Sequence, residues 1–153
     1  MYQQQANKFH AGWYDFDNGK RYYMRSGFEA RWGKYLDFLV KAGEVVSWEF
    51  EPRDFEVKGM RKNTKRYWPD FRVVYSNNTV LWHETKGQIK SSDVTKLRRM
   101  SQEYPEEKIV LVMQRIPQGH SKSAVGQRVL IDKARMWVER VIEAEPILKK
   151  VGI

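Results

Sequence analysis

Apolar and polar positions repeat with two different periods along this chain, and the places where the period changes mark out its elements. From Ser26 onward, Phe28, Trp32, Tyr35, Leu36 and Leu39 recur at the three- and four-residue spacing of one helix face. Ser26 is a natural N-cap, Glu29 stands at the capping-box distance, and Ala42-Gly43 closes the helix. Strand-like segments follow at 45–50, 55–57, 71–75, 80–85 and 109–113. Pro52 and Gly59 punctuate the first two, and Ser76-Asn77-Asn78 forms the turn between the third and fourth. A second helix is expected over 92–104, capped by Ser92, striped by Val94, Leu97, Met100 and Tyr104, and stopped by Pro105. After a loop at 116–126, a final helix is expected over 127–144, with an apolar surface wide enough to meet a partner as well as the core.

Upstream of the first helix, aromatic residues flank Asp17-Asn18-Gly19, which predicts a short hairpin in 13–25. Its aromatics read as a flap over the core. A surface where bases stack, aided by Lys20, Arg21 and Arg25, is the competing role. The order of helix, strand meander, helix, strand and helix predicts an α/β fold with a central mixed sheet flanked by helices. Residues 1–24 are expected to form a leader with a flap, and residues 25–153 a single domain ending in the C-terminal helix.

The chemistry lies on the third and fourth strands. Side chains alternate along a strand, so Glu84 and Lys86 share a face while His83 and Thr85 point to the other. With the turn at 76–78, Asp70 at the head of the preceding strand comes within a few residues of facing Glu84. A carboxylate and an ammonium on an otherwise apolar strand are expensive to bury unless a metal or substrate pairs with them. Two carboxylates offer hard oxygens suited to Mg²⁺, with the Thr85 carbonyl as a further ligand and Lys86 beside an attacking water or phosphate. Glu29 has two readings: half of a capping box with Ser26, or a third acid aimed at the strand pair. His83 reads as a packed histidine rather than a base.

Composition points to a polyanionic partner. The chain has 153 residues and a net charge of +9, is 41% hydrophobic, and has no cysteine. That is apolar enough to fold, and the charge favours nucleic acid. Disulfides, thiolate metal sites and cysteine nucleophiles are excluded. Three scattered histidines do not make a zinc site, and the lack of a Walker loop argues against a nucleotide cofactor. Neither a secretory signal nor a membrane span is visible, so a soluble cytoplasmic protein is expected.

Pro69-Asp70 followed by Glu84-Thr85-Lys86 resembles the hairpin motif of the PD-(D/E)XK nuclease superfamily. Together with 25–31 and Gly87, it is similar to the small phage and archaeal Holliday junction resolvases, over about residues 25–114. The resemblance implies a restriction-endonuclease-like core, with Glu29, Asp70 and Glu84 as metal ligands and Lys86 as the catalytic lysine. It further implies Mg²⁺ (with Mn²⁺ able to substitute), a homodimer, paired nicks in four-way DNA junctions, and a phage-encoded protein acting in a prokaryotic cytoplasm. Flap, repair or restriction nucleases of the same superfamily, and a non-catalytic basic nucleic-acid-binding module, are the alternatives. The DNA contacts expected are Arg25 and Ser26 at the helix start, Arg61, Lys62, Lys65 and Arg66 in a basic loop, and Gln88, Lys90, Lys96 and Arg99 beyond the motif.

Overall fold

The computed structural model describes residues 9–58 and 64–153. The N-terminal hairpin pairs β1 (Gly12–Asp15) with β2 (Arg21–Met24) and leads into α1 (Gly27–Lys41). The strands β3 (Val45–Phe50), β4 (Phe55–Lys58), β5 (Thr64–Tyr67), β6 (Phe71–Tyr75) and β7 (Val80–Lys86) follow. Then come α2 (Ser91–Glu103), β8 (Ile109–Met113), α3 (Lys122–Arg135), β9 (Arg140–Glu143) and α4 (Ala144–Lys150).

Five of these strands make one mixed sheet in the order β3-β6-β7-β8-β9. β3, β6 and β7 pair antiparallel, while β7-β8 and β8-β9 are parallel and connected through α2 and α3. Strand alternation divides the core into two layers. Phe71, Val73, Leu81, Val110 and Val112 face α1, α4 and the N-terminal hairpin. Trp82, Ile109, Leu111 and Met113 face α2, α3 and the β4-β5 hairpin. All five residues of β8 are buried, as a parallel strand covered on both faces requires.

The local signals work as read for α1: Ser26 Oγ accepts from the Glu29 N–H at 3.1 Å, and Gly43 takes φ 82° just past the end. The first hairpin turns through Gly19 at φ 77°, and Asn78 turns β6 into β7 at φ 70°. The two faces of the hairpin differ in burial. Phe16, Tyr22 and Met24 pack inward, with Phe16 and Tyr22 against Trp48, while Trp13 and Tyr23 stay outside as an edge-to-face pair.

Three expectations need correction. The helix expected over 127–144 is α3, starting earlier at Lys122 behind the N-cap Ser121, followed by β9 and then α4. Trp137, Val138, Val141 and Ile142 fit either period, and the exposed edge of β8 takes 140–143 as a parallel neighbour. α2 begins at Ser91, with Lys90 rather than Ser92 at its N-cap; Asp93 Oδ2 accepts from the Lys90 N–H at 2.8 Å. The basic loop is in part a strand, because Lys65 and Arg66 belong to β5. Arg61 and Lys62 lie outside the described residues.

Candidate active site

Three neighbouring strands of the sheet carry acids in line. The ladders pair Phe50 with Phe71 and Phe71 with His83. Continued by one residue, they set Asp70 between Glu51 and Glu84. The Glu51 N–H donates to the Asp70 carbonyl at 2.7 Å, and Glu51 leaves β3 at φ 44°, a conformation unusual for a residue with a Cβ. Asp70 is fixed by the neighbouring strand: its Oδ2 accepts from the Thr85 N–H at 2.8 Å and the Thr85 hydroxyl at 2.7 Å. Buried Glu84 accepts from the Tyr67 hydroxyl.

α1 brings in the fourth acid. The Glu29 side chain does not complete the capping box; its Oε1 lies 3.5 Å from Arg25 Nε, and its buried Oε2 has no hydrogen-bond partner. Glu29, Asp70, Glu84, Thr85 and Lys86 line one cavity of about 380 Å³, together with Arg25, Arg66, Tyr67, Trp68 and Lys96. Among the described residues, no group of three or more His, Cys, Asp or Glu side chains is placed to hold a metal ion as the side chains stand. The Arg25 guanidinium instead stands among the carboxylates, pairing with Glu51 and reaching Asp70 Oδ1 at 3.3 Å.

Crowding of acids in a partly buried recess disturbs their titration. Burial, reinforced by the charge of Asp70, pushes the Glu29 carboxyl up to about 7. Glu84 is raised well above the ordinary carboxylate range by the same two causes, burial first. For Lys86, burial favours the neutral amine, yet the charges of Glu84 and Asp93 outweigh it and raise the pKa. Its ammonium lies 3.3 Å from Asp93 Oδ1. Paired in this way, the Lys86 ammonium is suited to stabilising an anion at the cavity.

The expected DNA contacts divide. Arg25 is committed to the acids, and Ser26 to the helix cap. Arg66 and Lys96 line the cavity rim, Arg66 pairing with Asp54 and Lys96 lying 5.5 Å from the Tyr67 ring centroid. Lys65, Gln88 and Lys90 are exposed, while Arg99 is partly buried with its Nε unpartnered. His83 lies in the core as expected. It accepts from Trp32 Nε1 at 3.0 Å, shares a 2.8 Å hydrogen bond with the Tyr75 hydroxyl, and burial lowers its pKa to about 3.

The sequence reading passed over Glu51, Tyr67, Trp68 and Asp93. Tyr67 and Trp68 directly precede Pro69-Asp70, a proximity that offered a signal. Glu51 becomes visible only once β3 is paired with β6 across the intervening β4-β5 excursion. No protein-family profile and no curated protein matches the chain. No helix among the described residues is long and apolar enough to cross a membrane.

Proposed function

We propose that this protein is a divalent-metal-dependent DNA endonuclease with a restriction-endonuclease-like core, acting on branched DNA, with four-way junctions as the preferred substrate. The observation that carries the reading is the shared cavity, into which α1, β6 and β7 bring Glu29, Asp70, Glu84, Thr85 and Lys86. These residues suit Mg²⁺: the donors are all hard oxygens, and the buried, partnerless Oε2 of Glu29 is the kind of atom a cation satisfies. Glu29, Asp70, Glu84 and the Thr85 carbonyl would hold the ion. Bound there, it would supply an activated water and neutralise charge on the phosphate.

The chain's own groups account for the rest. Thr85 fixes the Asp70 carboxylate, and Tyr67 orients Glu84. Asp93 holds the Lys86 ammonium at the cavity, where it stabilises the extra negative charge of a phosphodiester under attack. Arg66 and Lys96 on the rim, within a chain of net charge +9, draw the DNA backbone toward the recess. Paired cuts across a junction need two such sites, which a homodimer supplies.

The test is a panel of four-way junction, flap, linear duplex and single strand, with Mg²⁺ or with EDTA. We expect Mg²⁺-dependent nicking that favours the junction. Asp70→Asn should abolish cutting while leaving junction binding equal or tighter. Equal cutting of plain duplex removes the junction preference, and cutting retained by the Asp70 variant refutes the site. Binding without cutting under every metal condition leaves the non-catalytic module as the reading.

A further inference from the structure

Arg25 stands between two acids of the cavity, Glu29 and Asp70, and the neighbouring Glu51. Its Nη2 pairs with Glu51 and lies 3.3 Å from Asp70 Oδ1, while its Nε lies 3.5 Å from Glu29 Oε1. One positive charge thus serves three carboxylates brought from the first turn of α1, the end of β3 and the head of β6. The balance is incomplete, since Glu29 Oε2 remains buried and partnerless. The arrangement is also lopsided: the Asp70 and Glu29 side chains are 5% and 13% exposed, whereas that of Arg25 is 57% exposed. A guanidinium does not lose its proton at any ordinary pH, so it can leave these acids only by moving. The open side of the cavity gives it room to move.

We propose that Arg25 is the resident counter-cation of this acid cluster, surrendering Asp70 and Glu29 to a divalent metal and then turning its free donors to a DNA phosphate, with Glu51 as the positioning residue that retains it. The proposal rests on the nuclease reading above. Glu51 suits the role because it is held to β6 through the Asp70 carbonyl and adopts the left-handed φ of 44°, a local strain that fixes where its carboxylate stands. Lys86 does not compete for this role, being paired with Asp93. In the metal-free protein, the pair of Arg25 with Asp70 and Glu29 raises the threshold for metal entry. Once released, the same side chain becomes a phosphate contact.

Calorimetric titration of Mn²⁺ into the full chain tests this without any turnover. Arg25→Gln should bind Mn²⁺ about tenfold more tightly than the wild type, and Arg25→Lys, with one compact ammonium, should fall between them. Glu51→Gln should weaken Mn²⁺ binding in the wild-type background and cost clearly less in the Arg25→Gln background, because Glu51 acts mainly through Arg25. With Ca²⁺ in place of a cleavage-supporting ion, Arg25→Gln should bind junction DNA more weakly, with a salt slope smaller by about one phosphate contact. The proposal is overturned if Arg25→Gln binds Mn²⁺ no more tightly, or if Glu51→Gln costs the same affinity in both backgrounds. Asp70→Asn separates the two levels of inference. If it abolishes Mn²⁺ binding while Arg25→Gln has no effect, the metal site stands and the role of Arg25 falls. If it leaves Mn²⁺ binding intact, the metal-site reading falls as well. Thermal melting by circular dichroism establishes that each variant is folded.

Discussion

Replacing Glu29 by Gln should make the metal-free protein more stable, because its carboxyl is buried beside the charge of Asp70 with Oε2 unpartnered. Its carboxyl is raised from the ordinary 4.5 to about 7, so ionising it in place costs about 3 kcal/mol. The cavity is open to water on one side, and screening there trims the figure to about 2 kcal/mol. Glutamine forfeits the favourable interaction of an anion with the N-terminus of α1, worth a few tenths of a kcal/mol. The Ser26 cap is untouched, since it receives the backbone N–H of residue 29. The net gain of about 1–2 kcal/mol corresponds to a rise in Tm of about 3–6 °C for a domain of this size.

The sign with pH follows from proton binding. The folded carboxyl keeps its proton up to about pH 7, whereas the unfolded one releases it near 4.5. Between those values the folded state holds more protons, so wild-type stability falls as pH rises, and the full penalty is present above 7. Melting curves in EDTA from pH 4 to pH 8.5 should show the variant and wild type converging below pH 4.5 and separating above it. Added Mg²⁺ should raise the Tm of the wild type and leave the variant nearly unchanged. A Glu29→Gln protein that melts lower than wild type at pH 8, or whose difference from it is flat with pH, refutes the electrostatic account of this side chain.

Two further outcomes concern the core. His83, lowered to about 3 against an ordinary 6.5, stays neutral in the fold while the unfolded chain protonates, so its contribution is intact above pH 6.5 and lost as pH falls toward 3. Urea midpoints at pH 7.5 and pH 4 should show wild type losing about 3 kcal/mol more than His83→Gln across that interval; equal losses would rule out His83 as the acid-sensitive group. The buried pair of Arg31 with Glu145 joins α1 to α4 through contacts of 2.5 and 3.0 Å, and Arg31 Nε also donates to the Ile153 carbonyl. Glu145→Ala should cost about 3–5 kcal/mol by stranding the guanidinium, and the double variant Arg31→Met, Glu145→Leu should recover most of it in chemical denaturation.

Much of the architecture is a local property of the chain. The period of Phe28, Trp32, Leu36 and Leu39, the cap at Ser26 and the turns at Gly19 and Asn78 depend on neighbours a few residues away, and they appear where the sequence places them. The same holds for Asp70 and Glu84, because one tight turn fixes the β6-β7 register. Periodicity does not decide between a helix and a strand plus helix over 136–150. There the apolar residues suit both, and the vacant edge of β8 makes the choice.

The sequence by itself determined that an α/β sheet protein would carry acids and a lysine on adjacent strands, since alternation and turn chemistry act over short distances. Only the tertiary structure decided that Glu51 stands beside Asp70, that Asp93 holds Lys86, and that Arg25 pairs with carboxylates from three separate elements. Those placements join residues from 7 to 45 positions apart, as in Lys86 with Asp93 and Arg25 with Asp70. They follow from strand pairing and from the pull of an unbalanced buried charge, which no repeat along the chain encodes.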